Sequence, residues 1–141
     1  MPTLHPHLFF RGQAEEAFNF YKSVFGGDFT GPMHKYKDVP SENVDDAIKD
    51  WVMHVSIMVG KNTMLMGADY HTAAGNYNQG NGFSVYIDTD SKEQADEYFN
   101  GLAAGGRVSM PQEDTFWGSY FGMLTDKFGV NWMIAYDAKK E

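Results

Sequence analysis

Apolar positions run along this chain first with the period of a strand and then with that of a helix, and the same succession occurs twice. Leu4–Phe10 is short, apolar and aromatic and is followed by Arg11-Gly12, which predicts a buried strand. From Gln13 to Phe25, Ala14, Ala17, Phe18, Tyr21, Val24 and Phe25 recur at spacings of three and four, while Glu15, Glu16, Asn19 and Lys22 occupy the other face. That pattern predicts an amphipathic helix, with acids in the first turn where the helix dipole favours them and Gly26-Gly27 as its left-handed stop. Asp28–Tyr36 reads as a strand that Gly31-Pro32 would bulge or confine to a sheet edge. Lys37–Asp50 reads as a polar loop with a short helical turn at Asn43–Ile48, and Trp51–Val59 and Asn62–Ala68 as strands joined by a hairpin at Gly60-Lys61-Asn62. Asp69–Gly82, rich in Gly and Asn with little to bury, predicts a linker.

After the linker the order returns. Phe83–Asp88 predicts a strand, and Ser91-Lys92-Glu93-Gln94 has capping-box spacing. Ala95, Tyr98, Phe99, Leu102 and Ala103 form a helical stripe ended by Gly105-Gly106. Val108–Met110, Tyr120–Leu124 and Val130–Tyr136 follow as strands, the last two joined by a turn at Asp126–Gly129. Ala17 and Ala95, Tyr21 and Phe99, Val24 and Leu102, and Gly27 and Gly105 are each 78 positions apart (95 minus 17), and the preceding strands match at that offset as Leu8 with Tyr86 and Phe9 with Ile87. A shared order at one offset predicts an internal repeat, with module 1 at about residues 1–70, a linker at about 71–82 and module 2 at about 83–137, forming a single domain.

Composition narrows the function classes. With 141 residues, 43% hydrophobic and 16% aromatic, the chain can bury a core. No run approaches the ~18 apolar residues of a membrane helix. Met1–Phe10 lacks a basic start and a small-residue cleavage site, so the expectation is a cytoplasmic protein with no membrane partner. A formal charge of −8 with only 11 Lys and Arg argues against nucleic acid, whose phosphates need a basic stripe. The absence of Cys removes disulfides, thiolate metal sites and a Cys nucleophile. There is no G-x-S-x-G elbow and no phosphate loop.

Motifs then give a family resemblance. Pro6-His7-Leu8-Phe9-Phe10, Gly12-Gln13-Ala14-Glu15-Glu16-Ala17, Phe20-Tyr21 and Val24-Phe25-Gly26-Gly27 resemble the opening of PhnB-like proteins of the glyoxalase/bleomycin-resistance/dioxygenase (vicinal oxygen chelate) superfamily. Thr115-Phe116-Trp117-Gly118, Tyr120-Phe121-Gly122-Met123 and Asp126-Lys127-Phe128-Gly129-Val130-Asn131-Trp132 resemble its closing segment. The resemblance implies an α+β fold of two βαβββ modules whose curved mixed sheets wrap a cavity, usually in a homodimer. Members of the superfamily hold a divalent metal on the concave face for isomerase, lyase or dioxygenase chemistry, whereas others only bind a small molecule there.

In metal-using relatives one His lies on the first strand of each module and a Glu on the last. Carried onto this chain, the first His falls near Pro6, flanked by His5 and His7, and the second near Gly82. The acidic positions fall at Met66 and Met133, and a thioether is a poor ligand for a hard cation. The expectation is therefore no metal and no cofactor; the alternative is a divalent-metal lyase or isomerase using His5, His7 or His54. His34 and His71 are expected at the solvent. PhnB-like proteins are often described as demethylubiquinone methyltransferases, but no Gly-rich strand-to-helix turn with a following acid marks an S-adenosylmethionine site. What remains is a small-molecule site with His7, Phe10, His54, Ser84, Tyr86, Trp117 and Tyr120 as candidate lining residues, Met66 and Met133 beside them and Trp132 in the core. His7 and Phe10 stand on opposite strand faces, so only one of them can line it.

Overall fold

A computed structural model describes residues 2–39, 45–71 and 77–138. The chain divides into two compact units, Met1–Gln79 and Gly80–Glu141. Both follow the order strand, helix, three strands.

In the first unit β1 (His7–Phe10) leads to α1 (Ala14–Phe25), then β2 (His34–Lys35), β3 (Val52–Val59) and β4 (Thr63–Asp69). The sheet order is β1-β4-β3-β2, with β1 and β4 parallel and the other ladders antiparallel. The amphipathic pattern of α1 buries Ala14, Ala17, Phe18 and Tyr21, and Gly26 ends the helix at φ 75°. Gln13 supplies no side-chain cap; instead the Ala14 amide donates to Asp69 Oδ1 at 3.0 Å. Asp69 Oδ2 accepts from the Val52 amide at 2.9 Å, and the Tyr36 hydroxyl donates to the Asp69 carbonyl at 2.8 Å. One buried carboxylate thus ties the helix start, the start of β3 and the end of β4, and satisfies donors that burial would otherwise leave costly.

The predicted strand over Asp28–Tyr36 is reduced to two residues, because Pro32 has no amide to donate and the chain around Gly31 leaves the ladder. Phe29 still bridges Ile57, and the Thr30 and Ser56 hydroxyls are hydrogen-bonded. The predicted turn at Asn43–Ile48 lies partly outside the described residues; Asp45 and Ile48 within it are joined by an Ile48 amide to Asp45 carbonyl bond. The predicted linker is likewise described only in part, residues 72–76 lying outside.

The second unit contains β5 (Val85–Asp88), α2 (Lys92–Ala103), β6 (Arg107–Asp114), β7 (Tyr120–Thr125) and β8 (Asn131–Tyr136). Its order is β5-β8-β7-β6, again with one parallel pair, β5 with β8. Ser91 Oγ caps α2 by accepting from the Gln94 amide at 3.0 Å, and Gln94 Oε1 accepts from the Asp90 amide. The strand predicted at Val108–Met110 extends through Asp114; it is the sheet edge, where Pro111 and two register shifts are tolerated. In the β7–β8 turn Gly129 adopts φ 86°. Asp126 Oδ1 accepts from the Phe128 and Val130 amides, and its Oδ2 accepts from Trp132 Nε1 at 2.8 Å.

Candidate functional site

Strand parity decides which side chains each sheet turns toward its helix. In the first unit Phe10 meets Phe18 and Tyr21 of α1, and a Cβ on Gly67 would collide with Phe18. Leu8 pairs with Gly67, and Phe10 with Asp69, so these positions face the helix. His7, Phe9, Met66, Ala68, Ser56 and His54 take the opposite parity and belong to the helix-free face. In the second unit a Cβ on Gly122 would meet Phe99 of α2 at 2.7 Å, and Gly122 pairs with Ile134. Trp132, Ile134, Val85, Ile87, Leu124 and Tyr120 therefore face α2, leaving Tyr86, Met133, Ala135, Phe121 and Met123 on the helix-free face.

Two of the expected lining residues stand on the helix side of their sheets. Phe10 is 1% exposed in the core against α1, which leaves His7 as the member of that pair on the free face. The Tyr120 hydroxyl donates to Asp96 Oδ1 of α2 at 2.6 Å, so its ring belongs to the helix side; that bond pushes its pKa up to about 12. Trp132 is buried as expected. The residues that sequence reasoning missed are the alternating neighbours, Phe9 and Phe121. Parity anchored on the helix-facing glycines, Gly67 and Gly122, is the signal that would have found them.

On the free face of the second unit three rings come together. Phe121 lies 6.4 Å from Tyr86 and 5.9 Å from Trp117, centroid to centroid. Tyr86 and Trp117 remain 53% and 55% exposed. Ala135, between Phe121 and Asp88 in the ladder, is small enough for the rings to close over it. Partial burial, and then the charge of Asp137, raises the Tyr86 pKa. Ser84 is half-buried just before β5, at the parity of Tyr86.

The free face of the first unit is different. The His7 and Phe9 rings are 4.7 Å apart, and Phe9 meets Tyr70 edge-on at 5.3 Å. Partial burial first, and the neighbouring charge of His54 second, lower the His7 pKa. His34 stands opposite His54 on the exposed edge strand. His5 is drawn away: its Nδ1 accepts the Met64 amide at 3.0 Å. His71 packs edge-on against Tyr36 rather than standing free in solvent. Among the described residues no three His, Asp or Glu side chains are grouped to hold a metal ion, and Met66 stands beside His7 in the ladder.

Residues 2–135 match the model of the 3-demethylubiquinone-9 3-methyltransferase family. The chain belongs to this family. It is PhnB-like, and its two βαβββ units have the fold of glyoxalase/bleomycin-resistance proteins. The Pseudomonas aeruginosa protein PA1353 is 39% identical, with a TM-score of 0.86 over 97% of this chain and 98% of that one. A PhnB protein from Bacillus cereus is 27% identical, with a TM-score of 0.75 over 96% and 99%. Protein YjdN of Escherichia coli K12 is 29% identical over 93% of this chain and 92% of its own length. A glyoxalase/bleomycin resistance protein/dioxygenase family enzyme from Burkholderia phytofirmans shares the fold at 18% identity, with a TM-score of 0.64 over 94% and 95%. No helix among the described residues is long and apolar enough to cross a membrane.

Proposed function

We propose that this PhnB-like protein binds a small, partly aromatic molecule on the helix-free sheet face of residues 80–141, without the divalent metal of other superfamily branches. One observation carries the reading: Phe121 pairs with both Tyr86 and Trp117, and these two rings keep about half their surface in solvent. Rings held in mutual contact are preorganised, so a planar ligand gains stacking area with little ordering cost. Met133 and Met123, paired in the ladder beside them, supply adaptable apolar surface. The methyltransferase of the family's description is not part of this reading, since the β1–α1 connection is Arg11-Gly12-Gln13, with Gly12 closed down on Trp51.

Titration with quinoline, a planar probe uncharged at neutral pH, followed by amide NMR, tests this. Shifts should cluster on Tyr86, Phe121, Trp117 and Met133. Trp117→Ala or Tyr86→Ala should weaken binding about tenfold, since stacking on one ring contributes on the order of 1–3 kcal/mol. Saturable binding that maps elsewhere, or that ignores both substitutions, defeats the proposal. Elemental analysis of tag-free protein addresses the metal: stoichiometric Zn, Ni, Mn or Fe that disappears in a His7→Ala/His54→Ala variant would establish the metal-dependent alternative instead.

A further inference from the structure

The free face of the first unit gathers nitrogen and sulfur donors. His7 and Met66 are neighbours across the parallel β1–β4 ladder, and Met66 is paired with Ser56 across the antiparallel β3–β4 ladder. His54 precedes Ser56 by two residues on the same face of β3, so it is a diagonal neighbour of Met66, at a spacing that a long side chain spans. The His7 ring leans along β1 toward Phe9: their centroids are 4.7 Å apart, whereas alternate residues of a strand are spaced about 6.7 Å. That lean carries the imidazole toward the row of Ala68, which pairs with Phe9. Continued one step beyond Val55–Gly67, the β3–β4 ladder sets Ala68 against His54, and a methyl group fills little of the space between the two imidazoles. The charge of His54 acts on the His7 ring, as this arrangement requires. Met66 and His54 are half-buried and His7 is exposed, so the three donors are open to a solute. No Asp or Glu stands on this face of β1, β3 or β4; Asp69, the acid of β4, is turned to the helix side, where it accepts from the Ala14 and Val52 amides.

We infer that this face binds monovalent copper, held by one ring nitrogen each of His7 and His54 and by the Met66 sulfur. Imidazole suits copper, and a polarizable thioether selects its soft monovalent form over hard divalent ions, which prefer carboxylate and water. All three donors are neutral, so a divalent ion would keep its whole charge against them. A monovalent ion of low coordination number loses less hydration and is satisfied by the donors on these strands. The site involves binding alone, with no change of oxidation state. It lies on other strands than the aromatic face of residues 80–141, so the two readings stand or fall separately.

The test uses the full chain without a histidine tag, titrated anaerobically with Cu(I) in competition with the chromophoric chelator bicinchoninate. A parallel titration with Ag(I), a soft ion of the same charge that is inert to air, is followed by NMR of the methionine methyls and histidine rings. A single equivalent of Cu(I) should leave the chelator for the protein. Ag(I) should move the Met66 methyl and the His7 and His54 rings, and leave Met53, on the other face of β3, in place. Met66→Leu, which keeps the bulk and removes the sulfur, should weaken Cu(I) at least tenfold, and His7→Gln/His54→Gln should abolish binding. Met53→Leu should have no effect, and circular dichroism verifies the fold of each variant. Zn(II), measured by calorimetry, should bind far more weakly than Cu(I). No transfer of copper from the chelator, or transfer that Met66→Leu leaves unchanged, overturns the inference. Shifts confined to other methionines and histidines mark an adventitious site and overturn it too. If Zn(II) binds as tightly as Cu(I) and keeps its affinity in Met66→Leu, the imidazoles alone hold the ion and the assignment to a soft metal fails.

Discussion

The two units are built alike under their helices and unlike on their free faces. Each has a 12-residue helix laid over a four-stranded sheet with one parallel and two antiparallel ladders, and each seats a helix aromatic on a strand glycine. Even here the means differ. The first unit seats Phe18 on Gly67 of β4 and is tied by Asp69 at a strand end; the second seats Phe99 on Gly122 of β7 and is tied by Asp126 in a turn. Both free faces carry an exposed aromatic on the first strand, Phe9 or Tyr86, with methionine and a small alanine beside it, Met66 and Ala68 in one and Met133 and Ala135 in the other. Beyond these, histidines distinguish the first face, and further aromatics and carboxylates the second. Packing against the helix restricts what a position can hold, so the faces free of that restriction are where the two halves have diverged in chemistry.

The largest test of this comparison removes the two buried acids. Asp69→Ala leaves the Ala14 and Val52 amides without their acceptor, and Asp126→Ala leaves the Phe128 and Val130 amides and the Trp132 indole without theirs. Each should cost about 3–5 kcal/mol in denaturant unfolding, with Asp126→Ala the costlier, because stranded buried donors lose partners that water cannot replace. Amide exchange should accelerate first at Ala14 and Val52 in one variant and at Phe128 and Val130 in the other. A cost under about 1 kcal/mol for either would mean that the acid is not a tie.

The glycine seats come next. At Gly67 an added methyl would drive into Phe18, itself boxed by Phe10 and Tyr21, and approach the Leu8 carbonyl at 2.9 Å. At Gly122 it would meet Gln112, whose side-chain amide donates to the Tyr120 and Ile134 carbonyls, and Phe99, which at 7% exposure lies nearer the surface than the fully buried Phe18. Gly67→Ala should therefore cost about 2–3 kcal/mol and Gly122→Ala about 1–2 kcal/mol, within the usual range for overpacking. The reverse order would show that the second unit has the tighter seat.

The elements of both halves were legible in the sequence, and so was the face of Trp132 against Met133, but the faces of β1 and β7 were not, and the reason is local. The helices begin at Ala14 and Lys92, 78 residues apart, and the first strands span His7–Phe10 and Val85–Asp88 at the same offset. Yet the strand residues facing the helix are Leu8 and Phe10 in one unit and Val85 and Ile87 in the other, an offset of 77. The strand-to-helix connections are three residues each, 11–13 and 89–91, but the last helix-facing strand residue is the final one of the strand in the first unit, Phe10, and the penultimate one in the second, Ile87, so pairing Leu8 with Tyr86 set a core residue against a free-face one. A single residue reverses every side chain of a strand, and periodicity over four residues cannot detect it. Phe10 therefore stood as the alternative to His7 on the opposite face, and Tyr120 was taken where its neighbour Phe121 holds the free face. Asp69 and Asp126 were legible only as linker and turn residues, because their partners lie on backbone amides whose proximity no composition reveals.

The corrected offset sets His7 opposite Ser84, each two residues before the exposed aromatic of its unit, which gives the smallest effect and a built-in control. Burial and the His54 charge hold the His7 pKa below the 6.5 of an unperturbed imidazole. The unfolded chain therefore binds a proton at a pH where folded His7 does not, and stability must fall as pH drops below about 6.5 toward the folded value, while no penalty exists above it. Ser84 has no such titration, so the cost belongs to the first unit alone. His7→Gln should flatten the loss of stability between neutral and mildly acid pH by well under 1 kcal/mol, since the side chain is still accessible to water. NMR titration of the His7 ring should give a midpoint below 6.5 that rises when His54→Gln removes the neighbouring charge. A midpoint at or above 6.5 that does not respond to His54→Gln would place the two rings on different faces and undo the parity on which the comparison of the units depends.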